Sequence, residues 1–110
     1  MSRSFVILLL AMCGCSHEER LSEQQSVAGS QIEHWVGPGT SLIEARRIMQ
    51  EHGFTCSVVT NGSFGDLRGA DYLYCDYSSG GAVRRRWQAA LLLANQQVTE
   101  IRVTTGLVGP

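Results

Sequence analysis

The reactive side chains of this 110-residue sequence are, above all, four cysteines at positions 13, 15, 56 and 75. Two stand together in Cys13-Gly14-Cys15-Ser16, behind an apolar run, and the other two lie apart in segments of alternating polarity. Thiols so placed can be acylated, oxidised to a disulfide or used as soft metal ligands. A metal site needs more ligands, and His17, His34 and His52 show no spacing with the cysteines that would build one. There is no Cys-x-x-Cys redox pair. Asp71 and Asp76 flank a strand-like segment without a recognisable acid/base spacing. The stretch Asn61–Gly69 is rich in glycine but lacks the Lys and following helix of a phosphate cradle. With no nucleophile–base pair in view, the expectation is a protein that is not an enzyme and that uses neither metal nor diffusible cofactor.

The cysteines near the start have a context. Arg3 supplies a positive charge, and Phe5-Val-Ile-Leu-Leu-Leu-Ala-Met12 is an unbroken apolar run. Crossing a bilayer takes about 20 apolar residues, so this run reads as an export signal and not as a spanning helix. The segment Cys13-Gly14-Cys15-Ser16 behind it resembles the lipobox of bacterial lipoprotein precursors. That box places a small residue before an essential cysteine: Gly14 stands before Cys15, whereas Cys13 adjoins the bulky Met12. The resemblance implies a signal peptide over 1–14, diacylglyceryl transfer to the Cys15 thiol, cleavage after Gly14, and N-acylation by a chain such as palmitate. Three acyl chains are ample for stable anchoring, which needs more than one. Ser16 is not the aspartate that tends to retain such proteins at the inner membrane. The implied address is therefore the cell envelope, lipid-anchored at the outer membrane if the host is Gram-negative. The competing reading is an ordinary secretory peptide with incidental cysteines.

With Cys13 removed and Cys15 acylated, Cys56 and Cys75 remain as an even pair in an oxidising compartment. Such a pair is most simply a disulfide. From Ser16 to about Ser30 the chain is polar, with Leu21 and Val27 isolated. That composition offers little apolar surface against the entropy of ordering. A flexible tether is expected over 15–37 and one small domain over 38–110, with a short amphipathic helix in the tether as the alternative. The basic and acidic totals nearly cancel, nine against ten, which leaves no electrostatic case for nucleic acid as a partner.

Patterning predicts the scaffold that carries these groups. Ser41 with Glu44 forms a capping box, Leu42, Ala45, Ile48 and Met49 form an apolar stripe, and Gly53 suits a helix stop. A helix is predicted over Leu42–His52. Phe54, Cys56 and Val58 alternate on one strand, and Leu73, Cys75 and Tyr77 on a second, with Asn61–Gly69 as the loop between them. Pairing Cys56 with Cys75 also sets Val58 against Leu73 and Phe54 against Tyr77, so one register satisfies thiols and apolar faces together. A last hairpin joins Val83, Trp87, Ala89, Leu91 and Leu93 to Thr99, Ile101, Val103 and Thr105. A three-residue loop, Asn95-Gln96-Gln97, sets Leu91 against Ile101; a two-residue loop would set it against Glu100. The predicted fold class is α+β: one helix on an antiparallel sheet of about four strands in two hairpins.

Gly39-Thr40-Ser41 opening a helix, with antiparallel strands from Phe54 onward, resembles the small envelope lipoproteins of the SmpA/BamE type and their β-lactamase-inhibitor-like class. That group begins with two helices. The likeness covers roughly Gly39 to Val108, is architectural, and transfers no functional residue. The expected function is a membrane-anchored envelope lipoprotein with a noncatalytic binding or structural domain, its partner an envelope protein or a cell-wall component. The alternative is an inhibitor of a secreted hydrolase of lysozyme or β-lactamase type; an enzyme ranks third. The candidate contact is the face carrying Tyr72 and Tyr74 together with Arg84 and Arg86, since aromatic and Arg side chains dominate interface hot spots. The competing reading of Arg84-Arg85-Arg86 is a solvated strand start that discourages edge pairing.

Overall fold

The computed structural model describes residues 20–108; the signal segment 1–14, Cys15 and His17 lie outside the described residues. Two helices, α1 (Gln25–Trp35) and α2 (Leu42–Glu51), precede four strands: β1 (Thr55–Phe64), β2 (Leu67–Gly80), β3 (Arg84–Ala94) and β4 (Gln97–Val108). The strands form one antiparallel meander in the order β1-β2-β3-β4. The mixed α+β class with a four-stranded antiparallel sheet is as the patterning predicts. A single core cluster joins Ala28 and Ile32 of α1, Ala45 and Met49 of α2, and Leu73, Cys75, Trp87, Ala89 and Leu91 of the sheet. Among the described residues no helix is long and apolar enough to cross a membrane.

The first correction is α1, which occupies the segment expected to be tether. Its apolar positions are sparse, but Ala28, Ile32 and Val36 recur every fourth residue and are fully buried. A stripe that thin cannot sustain an isolated helix; it holds only because a sheet is there to receive it. The incoming chain is fastened too. The Gln31 side-chain amide donates to the Arg20 carbonyl (2.8 Å) and its carbonyl accepts from the Ser22 N–H (2.8 Å). The Trp87 indole N–H donates to the Ser22 carbonyl at 2.8 Å, which satisfies the polar atom of a nearly buried ring. The folded unit thus includes residues from about Arg20 onward, well before the expected boundary at residue 38.

α2 matches its prediction. The Ser41 hydroxyl accepts from the Glu44 N–H at 3.2 Å, and Gly53 takes φ 91°, a left-handed value natural to glycine. The return half of the capping box is replaced by an ion pair, because the Glu44 carboxylate turns to Arg47. Replacing Ser41 with Ala should lower stability by about 1 kcal/mol, read from denaturant unfolding. An unchanged midpoint would show that the segment is held instead by its backbone bonds to the β3–β4 hairpin, Gly39 N–H to Val98 O (2.7 Å) and Leu42 N–H to Gln96 O (2.8 Å).

Both predicted registers are present: Cys56 opposite Cys75, Val58 opposite Leu73, Leu91 opposite Ile101 and Ala89 opposite Val103. The connections differ. β1 runs on to Phe64 and β2 starts at Leu67, so the expected Asn61–Gly69 loop is strand with a two-residue turn, Gly65-Asp66. Its turn formers are spent on irregularities between Val59 and Phe64 and on Asn61 at φ 54°. In the second hairpin the turn is Asn95-Gln96, both at positive φ, with Gln97 already paired to Ala94. A shift between Leu92 and Leu93 leaves Thr99 unpaired and restores the register that a bare two-residue turn would lose. The three-residue loop is therefore corrected to a two-residue turn plus a bulge.

Candidate functional site

Alternation along β2 and β3 sends Tyr72, Tyr74, Asp76, Arg86 and Gln88 to the sheet face away from the core. All four expected contact residues, Arg84 included, thus fall on one face by alternation, but not as one set of free anchors. Tyr72 is only 4% exposed. Its ring meets Phe64 edge-on, with centroids 6.1 Å apart, and its hydroxyl donates to the Ser63 carbonyl at 2.7 Å. The expectation of an exposed Tyr72 is corrected: the irregular end of β1 brings Phe64 over it. The Tyr74 hydroxyl accepts from the Gln88 amide at 2.6 Å. Arg86 engages Asp76 through two parallel bonds of 2.9 Å, and that carboxylate holds the guanidinium above its usual pKa range. Arg84 is exposed and lies eight residues along β3 from Leu92, the partner of Tyr72, or roughly 26 Å at the ordinary strand rise. One partner footprint centred on the tyrosines would not be centred on Arg84. This outer face is a satisfied polar lattice, extended by the Glu100–Arg102–Asp66 charges.

A concave surface lies elsewhere. A cleft of about 530 Å³ is lined by Leu21, Trp35, His52, Gly53, Tyr77 and Trp87, with Arg20 and Glu51 also contributing. That volume falls within the range of small-ligand sites. Each wall has a local cause. Trp35 ends α1 and His52 caps α2, and their rings stack face to face at 3.5 Å and 6°. Tyr77 and Trp87 are paired across β2 and β3, with centroids 5.5 Å apart, and Phe54 adjoins Tyr77 at 5.4 Å. Gly53 permits this approach, since a Cβ there would stand 3.2 Å from the Tyr77 ring. Sequence patterning put Tyr77 and Trp87 each on the apolar alternation of its own hairpin, but it missed the cleft because Trp35 reaches it only through α1. His52, the C-cap of α2, also forms an aromatic wall. His34 is exposed in the last turn of α1.

Cys56 and Cys75 face each other across β1 and β2, and both stand as free thiols. Cys75 is fully buried, whereas Cys56 is partly exposed. The hydrogen bond between them pushes the Cys75 thiol up, and burial adds to that. The same bond lowers Cys56, against desolvation and with help from the Arg46 charge. The pair is thus asymmetric: Cys56 is the accessible sulfur that more readily carries negative charge. Among the described residues no three His, Cys, Asp or Glu side chains stand close enough to hold a metal ion.

An aromatic cleft with a cation at its edge can bind flat or apolar groups and orient an anionic one, and the thiol pair beside the core can be cross-linked. No protein-family model, curated protein or solved structure matches this chain.

Proposed function

We propose that this chain is a lipid-anchored bacterial envelope lipoprotein whose α+β domain binds a partner and does not catalyse. The observation that carries the anchoring is the sequence itself: Gly14-Cys15-Ser16 close behind the apolar run Phe5–Met12. Both helices contribute side chains to one core cluster with the sheet, which supports reading the domain as a single binding unit. Cys15 carries diacylglycerol and an N-acyl chain, and the address is the outer membrane in a Gram-negative host.

The cleft between Trp35, His52, Tyr77 and Trp87 supports the binding role better than the outer face does. Its aromatic walls bury large area at low entropy cost, whereas Tyr72, Tyr74 and Arg86 already spend their polar atoms on neighbouring groups. The partner is an envelope protein or a cell-wall component that inserts a flat or apolar group.

A photo-crosslinking residue placed at His52 in the native envelope should yield a discrete adduct, while the same residue at Asp66 in the distant turn should not. Replacing Trp35 with Ala should reduce that adduct by about tenfold, the scale of an interface hot spot. Equal capture from positions 52 and 66, or capture indifferent to the Trp35 change, would remove the cleft as the contact.

A further inference from the structure

The helix α1 shortens the link between membrane and domain. Ser22 is fixed to Trp87 and lies only seven positions along the chain from Cys15, so the acylated residue stands at most about 25 Å from Ser22. The link also leaves from a defined end. Glu23 accepts from Thr105 through its backbone carbonyl (3.3 Å) and meets Arg85 through its carboxylate (3.5 Å). Thr105 lies three residues from the end of β4, roughly 10 Å at the ordinary strand rise, and Arg85 one residue from the start of β3.

That tip has an unusual surface. Leu107 continues the core-face alternation of Ile101, Val103 and Thr105 past the point where α1 begins, and it is 67% exposed. Val83, in the connecting turn, is 58% exposed. Arg84, paired with Val108 one rung beyond the Arg85–Leu107 pair, has no carboxylate within salt-bridge distance among the described residues. Arg85 has one weak partner, Glu23, and a buried Nε without an acceptor. Exposed aliphatic groups beside unanswered arginines suit a surface that is apolar beneath and anionic on top.

Resting on the lipoprotein reading above, we infer that this tip docks on the anionic phospholipid bilayer that holds the protein's own anchor. Arg84 meets lipid phosphates, and Val83 and Leu107 enter the headgroup boundary. The opposite end, with the Gly65-Asp66 and Asn95-Gln96 turns, points away from the membrane. The short link confines the tip to the surface, so weak contacts suffice to orient the domain.

The test is hydrogen exchange on the acylated mature protein in vesicles, with intact mass recorded first. Vesicles of phosphatidylethanolamine with phosphatidylglycerol should slow exchange over residues 79–86 and 104–108 by about tenfold relative to phosphatidylcholine vesicles, and leave residues 63–68 unchanged. The double variant Arg84→Glu, Leu107→Ser changes only exposed side chains; it should erase the difference at an unaltered thermal midpoint. Equal exchange in both vesicles, with acyl mass present on Cys15, overturns the docking and leaves the anchor standing. Absence of acyl mass overturns both. Protection that grows with protein concentration in detergent means that a second copy covers the tip, and it also overturns the proposal.

Discussion

Replacing Cys15 with Ser should abolish acylation and leave a full-length precursor with its signal segment attached. Diacylglyceryl transfer forms a thioether, and a serine hydroxyl is far too weak a nucleophile to replace the thiol. Cleavage at Gly14 depends on that modification, so processing stops as well. The effect is all-or-none because the anchor is a sum of methylenes worth about 0.8 kcal/mol each, and removing every chain removes the sum. The apolar run that remains is too short to span a bilayer. Fatty-acid labelling and intact mass read the outcome directly. Cys13→Ser should be processed normally, since Met12 is a poor neighbour for the cleaved bond. Acylation that survives in the Cys15 variant, or that disappears in the Cys13 variant, would reverse the assignment. Ser16→Asp, in a Gram-negative host, should shift the mature protein toward the inner membrane.

Register was the most legible feature of the fold, for a definite reason. In β1 and β2 two cysteines and two apolar pairs demand the same alignment, and in β3 and β4 a buried Leu91 excludes a charged Glu100. A one-residue slip would turn every core side chain outward, so pattern alone decides. The turns were less legible because Asn and Gly serve equally as loop residues and as bulges. Asn61 at φ 54° lies inside a strand, while Asn95 at the same φ makes a turn. The loop-length choice at Asn95 reached the right register through the wrong connection, since the unpaired Thr99 supplies the extra residue from within β4. α1 was legible only as the alternative to a flexible tether, because its stripe contains one alanine and one isoleucine within the helix, and its burial depends on a surface assembled from residues far along the chain. That loss carried over to the site. Trp35 and His52 meet only once α1 and α2 are both placed, and Tyr72 disappears beneath Phe64 only once β1 is known to be irregular.

Oxidising the mature protein should join Cys56 to Cys75 and raise its stability by about 3 kcal/mol, the chain-entropy value for a loop of about 15 residues. Against a typical total of 5–15 kcal/mol for a domain, that is a large fraction, equivalent to a thermal midpoint higher by about 15 °C. The fold prepares the bond. The two residues are direct cross-strand partners, so forming it asks for little backbone movement, and Leu73 opposite Val58 keeps the register beside them. The order of attack comes from the asymmetry of the thiols. In the reduced, folded protein Cys56 is partly exposed and held below its ordinary pKa by the hydrogen bond from Cys75, while Cys75 is fully buried. An oxidant should therefore react first at Cys56, forming a sulfenic acid from which the adjacent Cys75 sulfur displaces water to close the disulfide; an alkylating reagent should likewise react first at Cys56 and stop there. Brief alkylation of the reduced native protein should label Cys56 in large excess over Cys75. Thiol counting on denatured, unreduced protein from the envelope should find neither free. Two free thiols would remove the disulfide; equal labelling of both sulfurs would show that the strands open there, and the rigid β1–β2 pairing would fall with it.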